Sequence, residues 1–194
     1  MVILTQKERE ALIIIFKDFT TYYNANSISK ILKISQVGAQ KIFKRLLKEN
    51  LLISKTIGKS IVYKLNQEDD YVQKLISFLL ADEANKFKRW KEEFKELKNN
   101  IILFYGSAIK NYNQAKDIDI MVIVNEKNIK EINGILNNKE NLLSKKLHSI
   151  KLTKKDLIEN LKKRDKIAIE IVKQAIILSQ QEEYVEIITN VTGF

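Results

Sequence analysis

The sequence predicts a mixed α/β (α+β) fold in two parts joined by a helix, and three observations carry that prediction. Residues 1–66 show helical apolar spacing between polar breaks, then two β-rich runs around a glycine. Residues 67–99 contain neither Pro nor Gly and repeat apolar residues at intervals of three and four. Residues 101–124, IILFYGSAIKNYNQAKDIDIMVIV, place two apolar β-rich runs on either side of a polar loop. The expected organisation is a domain over 1–66, a linker helix over 67–99 and a mixed sheet with helices over 100–194.

Composition limits the function classes. The chain has 194 residues, 45% of them hydrophobic, enough for one large or two small domains. No apolar run reaches the roughly 18 residues of a membrane span, and the N-terminus lacks the pattern of a signal peptide. The absence of Cys excludes disulfides and thiolate chemistry. A soluble cytoplasmic protein with no membrane partner is expected. The net charge of +10 is uneven: residues 1–66 hold 12 Lys/Arg against 4 Asp/Glu, a net +8. Such a concentration suits a polyanion, and it also suits a solubilising surface.

The first part is read element by element. Thr5 and Glu8 form a capping box ahead of a helix over 6–20, with Leu12, Ile13, Ile15, Phe16 and Phe19 inward. Ser27 caps a short helix carrying Ile28, Ile31 and Leu32. Ile34 and Ser35 make a tight turn, and Ser35 caps a helix over 36–49 that Asn50 ends. Two strands over 51–56 and 61–65 follow, joined through Gly58 and Lys59. This order resembles the winged helix-turn-helix family throughout 1–66. The resemblance implies duplex DNA as partner, with the helix over 36–49 in the major groove and the hairpin on the backbone. Its outward residues would be Gln36, Gln40, Lys41, Lys44, Arg45 and Lys48, with Lys59 on the wing. Gln reads adenine, Arg or Lys reads guanine, and the other lysines hold phosphates. A winged helix used for protein contacts is the competing reading.

The linker helix carries a stripe of Tyr71, Leu75, Phe78 and Leu79, then Phe87, Trp90, Phe94 and Leu97. The stripe packs within the chain or forms a homodimer seam.

Residues 101–124 carry the chemistry. The run over 101–105 reads as a buried strand. Gly106 allows a sharp turn, and Ser107 caps a short helix over 108–112. Residues 117–124 read as the next strand, on which Asp117 and Asp119 share one face and Ile118 and Ile120 the other. Two carboxylates beside a phosphate-binding turn are what a hard cation and a nucleotide need.

The pattern Gly106-Ser107, nine residues, then Asp117-x-Asp119 resembles the motif of minimal nucleotidyltransferases in the DNA polymerase β superfamily. The loop is one residue shorter than usual, and Asn111 and Lys116 stand where the family often has Gly and Ser. The resemblance covers about 100–190. It implies Gly106 and Ser107 as nucleotide-binding residues, Asp117 and Asp119 as catalytic and metal-binding residues, Mg²⁺ or Mn²⁺ as cofactor, and an NTP as substrate or ligand.

The rest of the domain is expected as a helix over 128–137, a strand over 145–152, helices over 153–163 and 165–177, an apolar strand near 176–178, and a last short helix around Tyr184. The family usually places a third carboxylate on a later strand. Here that strand, 146–152, has no acid, and His148 or Ser149 occupies the position. Glu140 and Asp156 flank it.

The implied reaction transfers a nucleoside monophosphate from an NTP to an acceptor hydroxyl. The alternative is a DNA-binding regulator, or an antitoxin-like protein with a toxin partner, whose second domain binds nucleotide without turnover.

Overall fold

Capping chemistry places the first helices. Thr5 Oγ1 accepts from the Glu8 amide while Glu8 accepts from the Thr5 amide at 2.7 Å, which starts α1 (Gln6–Lys17). The second helix, α2 (Ala25–Leu32), begins earlier than its serine suggests: Asn24 is the cap, and Ser27 closes the box three residues inside. Ser35 caps α3 (Gln36–Lys48), accepting from the Gly38 amide at 3.0 Å. Asn50 ends α3 in the left-handed region at φ 57°, and the Leu51 amide reaches back to the Leu46 carbonyl at 2.9 Å. The hairpin of β1 (Leu52–Ile57) and β2 (Ser60–Leu65) turns on Gly58 and Lys59, with Gly58 at φ 58°. Tyr23 adds an isolated bridge to Tyr63, whose ring lies 4.1 Å from that of Phe43. Ala11, Leu12, Phe16, Ile28, Phe43, Leu46, Val62 and Leu65 are buried within this part.

The computed structural model describes residues 2–192, and the chain divides into two units, Met1–Leu79 and Leu80–Phe194. The single helix expected over 67–99 is broken. Helix α4 (Asp70–Asn85) spans the division and ends in i to i+3 turns at Lys86 and Phe87, followed by α5 (Lys88–Glu93) and a 3₁₀ turn over Lys95–Leu97. The cause is tertiary. The break turns Trp90, Phe94 and Leu97 into a core shared with Phe104, a gain that helix propensity does not register. The stripe on α4 is also rotated. Val72, Ile76, Leu79, Leu80 and Ala84 are buried, whereas Tyr71 and Phe78 are 47% and 60% exposed. The aromatic half of the stripe, Phe87, Trp90, Phe94 and Leu97, therefore packs within the chain.

In the second unit, four strands line up in the order β5 (Lys146–Thr153), β4 (Asp117–Val124), β3 (Ile101–Tyr105) and β6 (Ile176–Ser179). The β4–β5 pair is parallel and the other pairs are antiparallel. On one face Ile102, Phe104, Ile118, Ile120, Val122 and Leu147 pack with Trp90, Phe94, Leu97 and two residues of α7 (Ile129–Leu142), Ile132 and Leu136. The other face carries Leu103, Met121 and Ile123, all buried, and meets α8 (Lys154–Lys162), α9 (Lys166–Gln174) and α10 (Gln181–Thr192). Thr153 and Asp156 form the capping box of α8. The helix expected over 165–177 stops at Gln174, because Ile176, Ile177 and Ser179 pair with β3. Among the described residues no helix is long and apolar enough to cross a membrane.

Candidate functional site

The site begins where β3 ends. Gly106 takes φ 81° and ψ −162°, a conformation open to glycine and strained for any other residue. Its missing side chain is also functional space: a Cβ there would overlap Asp119 Oδ2 and sit 3.0 Å from Cγ. The carboxylate thus lies directly over the turn. Gly106, and not Ser107, stands at the N-cap position of α6 (Ser107–Lys110), and no side chain caps it. Ser107 is the first helical residue, exposed at the mouth of the turn. The helix is shorter than expected because Asn111 leaves the helical region and folds an Asx turn, its Oδ1 accepting from the Asn113 and Gln114 amides.

The loop between the motif halves is pinned. Lys145 Nζ donates to the carbonyls of Tyr112, at 2.6 Å, and Ala115, and sits 4.6 Å from the Tyr112 ring centroid. Arg89 covers the same ring at 4.3 Å, and Tyr112 Oη lies 2.9 Å from Ser144 Oγ. The nine residues between Ser107 and Asp117 are thereby anchored at Tyr112 and Ala115.

Alternation on β4 places Asp117 and Asp119 on one face, both half-buried, with Ile118 fully buried behind them. Parallel register sets His148 opposite Asp119 and Ser149 opposite Ile120, so the histidine and not the serine joins the carboxylates. His148 Nδ1 lies 3.4 Å from Asp117 Oδ2 and 3.5 Å from Asp119 Oδ1, longer than a good hydrogen bond. One ligand atom from each of the three residues falls within 4.8 Å of the others, a set able to hold a metal ion. Burial raises the Asp119 pKa above the ordinary carboxylate value, and the Asp117 charge adds to the shift while His148 opposes it. Tyr105, opposite Asp119 on β3, is pushed up to about 12 by burial and by that carboxylate.

The flanking acids do not complete the set. Asp156 is occupied in the α8 capping box, at the other end of β5, and Glu140 is exposed on α7. Compared with known proteins, the chain matches no family model, no curated protein and no solved structure. Geometry alone therefore defines the site. The same strands also border a cleft of about 460 Å³ at their opposite end, lined by Asn99, Asn125, Thr153, Lys155 and Glu183 among others. It is separate from the carboxylate pair and was not legible in the sequence, because its lining comes from four distant segments.

In the first unit, Gln36, Gln40, Lys41, Lys44 and Lys48 are exposed along α3, and Lys59 is exposed at the hairpin turn. Arg45 departs from that face. Its Nη1 pairs with Glu8 at 3.0 Å, Glu8 being only 3% exposed, and its Nη2 donates to the Ile3 carbonyl. A buried carboxylate requires a partner, and Arg45 supplies it.

Proposed function

We propose that the protein is a cytoplasmic nucleotidyltransferase of the minimal, DNA polymerase β-like type joined to a DNA-binding winged helix. The observation that carries the catalytic half is the placement of Asp117, Asp119 and His148 beside the glycine turn that starts α6. In the reaction an acceptor hydroxyl oxygen bonds to the α-phosphorus of an NTP, the bond to the bridging oxygen breaks, and pyrophosphate leaves. Asp117 and Asp119 would hold Mg²⁺ or Mn²⁺, which would supply positive charge for the phosphates. Gly106 lets the chain approach the β- and γ-phosphates closely, and the exposed Ser107 offers them a hydroxyl.

For the first unit, the supporting features are the short helix, tight turn and longer helix of α2 and α3, the hairpin after them, and the Tyr23 bridge that extends its sheet. The row Gln36, Gln40, Lys41, Lys44 and Lys48 would read and hold duplex DNA, with Lys59 on the backbone.

A second reading has one observation in its favour: His148, and no acid, sits opposite Asp119 on β5, where the resemblance implies a third carboxylate. It makes the protein a DNA-binding regulator, or an antitoxin-like partner of a toxin, with a nucleotide site that does not turn over. Incubation with each labelled NTP and Mg²⁺ or Mn²⁺ separates the two. Label transferred to the protein, a partner or nucleic acid supports the enzyme. Saturable nucleotide binding without transfer under every metal supports the regulator.

A further inference from the structure

We infer that Asp117, Asp119 and His148 form a mixed nitrogen–oxygen site that selects a late first-row transition ion such as Zn²⁺ over Mg²⁺. This deepens the proposed reading, because the same ion would carry the nucleotide phosphates.

Three observations support it. The first is donor chemistry. Carboxylate oxygens suit Mg²⁺ and Mn²⁺, whereas an imidazole nitrogen suits late first-row ions such as Ni²⁺ and Zn²⁺ and is a poor ligand for a hard ion. The second is spacing. Ligands at about 2.0–2.2 Å from an ion lie about 3.4 Å apart in a tetrahedral site and about 3.0 Å apart at neighbouring octahedral positions. The two Nδ1 separations, 3.4 and 3.5 Å, lie near the four-coordinate spacing, and all three donor atoms fall within 4.8 Å of one another. Three protein ligands would then leave one position open to a phosphate or water. The third is rarity. The chain has one histidine and no cysteine, so this is where its only imidazole can meet carboxylates. That histidine sits opposite Asp119 by strand register, which fixes its face by backbone pairing and not by a mobile loop.

The competing account is an ion pair in which a protonated His148 neutralises the two acids without any metal. Metal titration decides between them, using the tag-free full chain without nucleotide and the chloride salts of Mg²⁺, Mn²⁺ and Zn²⁺. Calorimetric affinity and the shift in melting temperature are read for the wild type, His148→Ala and His148→Asp. The expected result is a loss of about tenfold or more in Zn²⁺ affinity in His148→Ala, with Mg²⁺ and Mn²⁺ changed less than about threefold. His148→Asp, which makes the set all-oxygen, should raise Mg²⁺ affinity. Equal losses for all three ions, or no loss at all, would overturn the inference. Nucleotide transfer is measured separately. Metal selectivity without transfer would remove the enzyme reading and leave this site standing, while Mg²⁺-driven transfer in His148→Ala would do the reverse.

Discussion

Gly106 and Asp119 are the two residues on which the site depends most, and each gives a distinct expectation. Gly106→Ala forces a side chain into a glycine-only conformation and into the space of the Asp119 carboxylate. Backbone strain alone costs about 1–3 kcal/mol, so chemical denaturation should show a loss of at least that order, and metal binding should fail. Asp119→Asn should do the opposite to the metal-free protein. The folded-state pKa of Asp119 lies above its unfolded value, chiefly through burial, with Asp117 adding to it. The folded state therefore holds that proton more tightly. The group's contribution to stability falls as pH rises from the ordinary carboxylate range through the raised value. Melting curves against pH should find Asp119→Asn at least as stable as the wild type at neutral pH, with the difference closing toward about pH 4.

At the scale of the element, α3 separates two roles that the sequence joins. Spacing alone puts Arg45 on the outward row with Lys41, Lys44 and Lys48. The structure gives Arg45 to Glu8, which is buried at the start of α1. Removing one partner of a buried pair costs about 3–5 kcal/mol, and the exposure of Arg45 lowers that figure. Arg45→Ala should cost about 1–2 kcal/mol of stability by denaturant titration, while Lys41→Ala and Lys44→Ala should stay within about 0.5 kcal/mol. Lys41 and Lys44 are thus the clean positions for testing DNA contacts. The same division explains what was legible. Capping boxes at Thr5 and Thr153, the Ser35 cap, the Asn50 stop and the carboxylate face of β4 follow from local rules, and all are present. The break at Phe87, the rotated stripe on α4, the Arg45–Glu8 pair and the turn of His148 toward the acids depend on residues distant in sequence. No window of neighbouring residues encodes them. The position on β5 beside the carboxylates was visible as a choice between His148 and Ser149, and strand register sets His148 opposite Asp119.

At the scale of the whole molecule, charge and chemistry are divided between units. The N-terminal 66 residues hold most of the net charge of +10, and the carboxylate site lies in the unit from Leu80 onward. With Arg45 committed to Glu8, about four or five lysines remain to neutralise phosphates. Duplex DNA affinity should then fall with a slope near −4 in log K against log salt, measured by anisotropy titration. Lys41→Ala should reduce that slope by about one, and Lys173→Ala, on α9, should not. A salt-independent affinity would remove the DNA reading without touching the second unit.

The central claim, that Gly106, Ser107, Asp117 and Asp119 form a working metal and nucleotide site, is tested most directly by thermal unfolding with an NTP and a divalent ion together. A ligand that binds only the folded state stabilises by about 2.7 kcal/mol at a hundredfold excess over its Kd. The pair should raise the melting temperature more than the effects of nucleotide alone and metal alone combined, because phosphates and carboxylates share the ion. Asp119→Asn should abolish the joint effect while the domain stays folded. A wild-type melting curve indifferent to metal and nucleotide together would contradict the account.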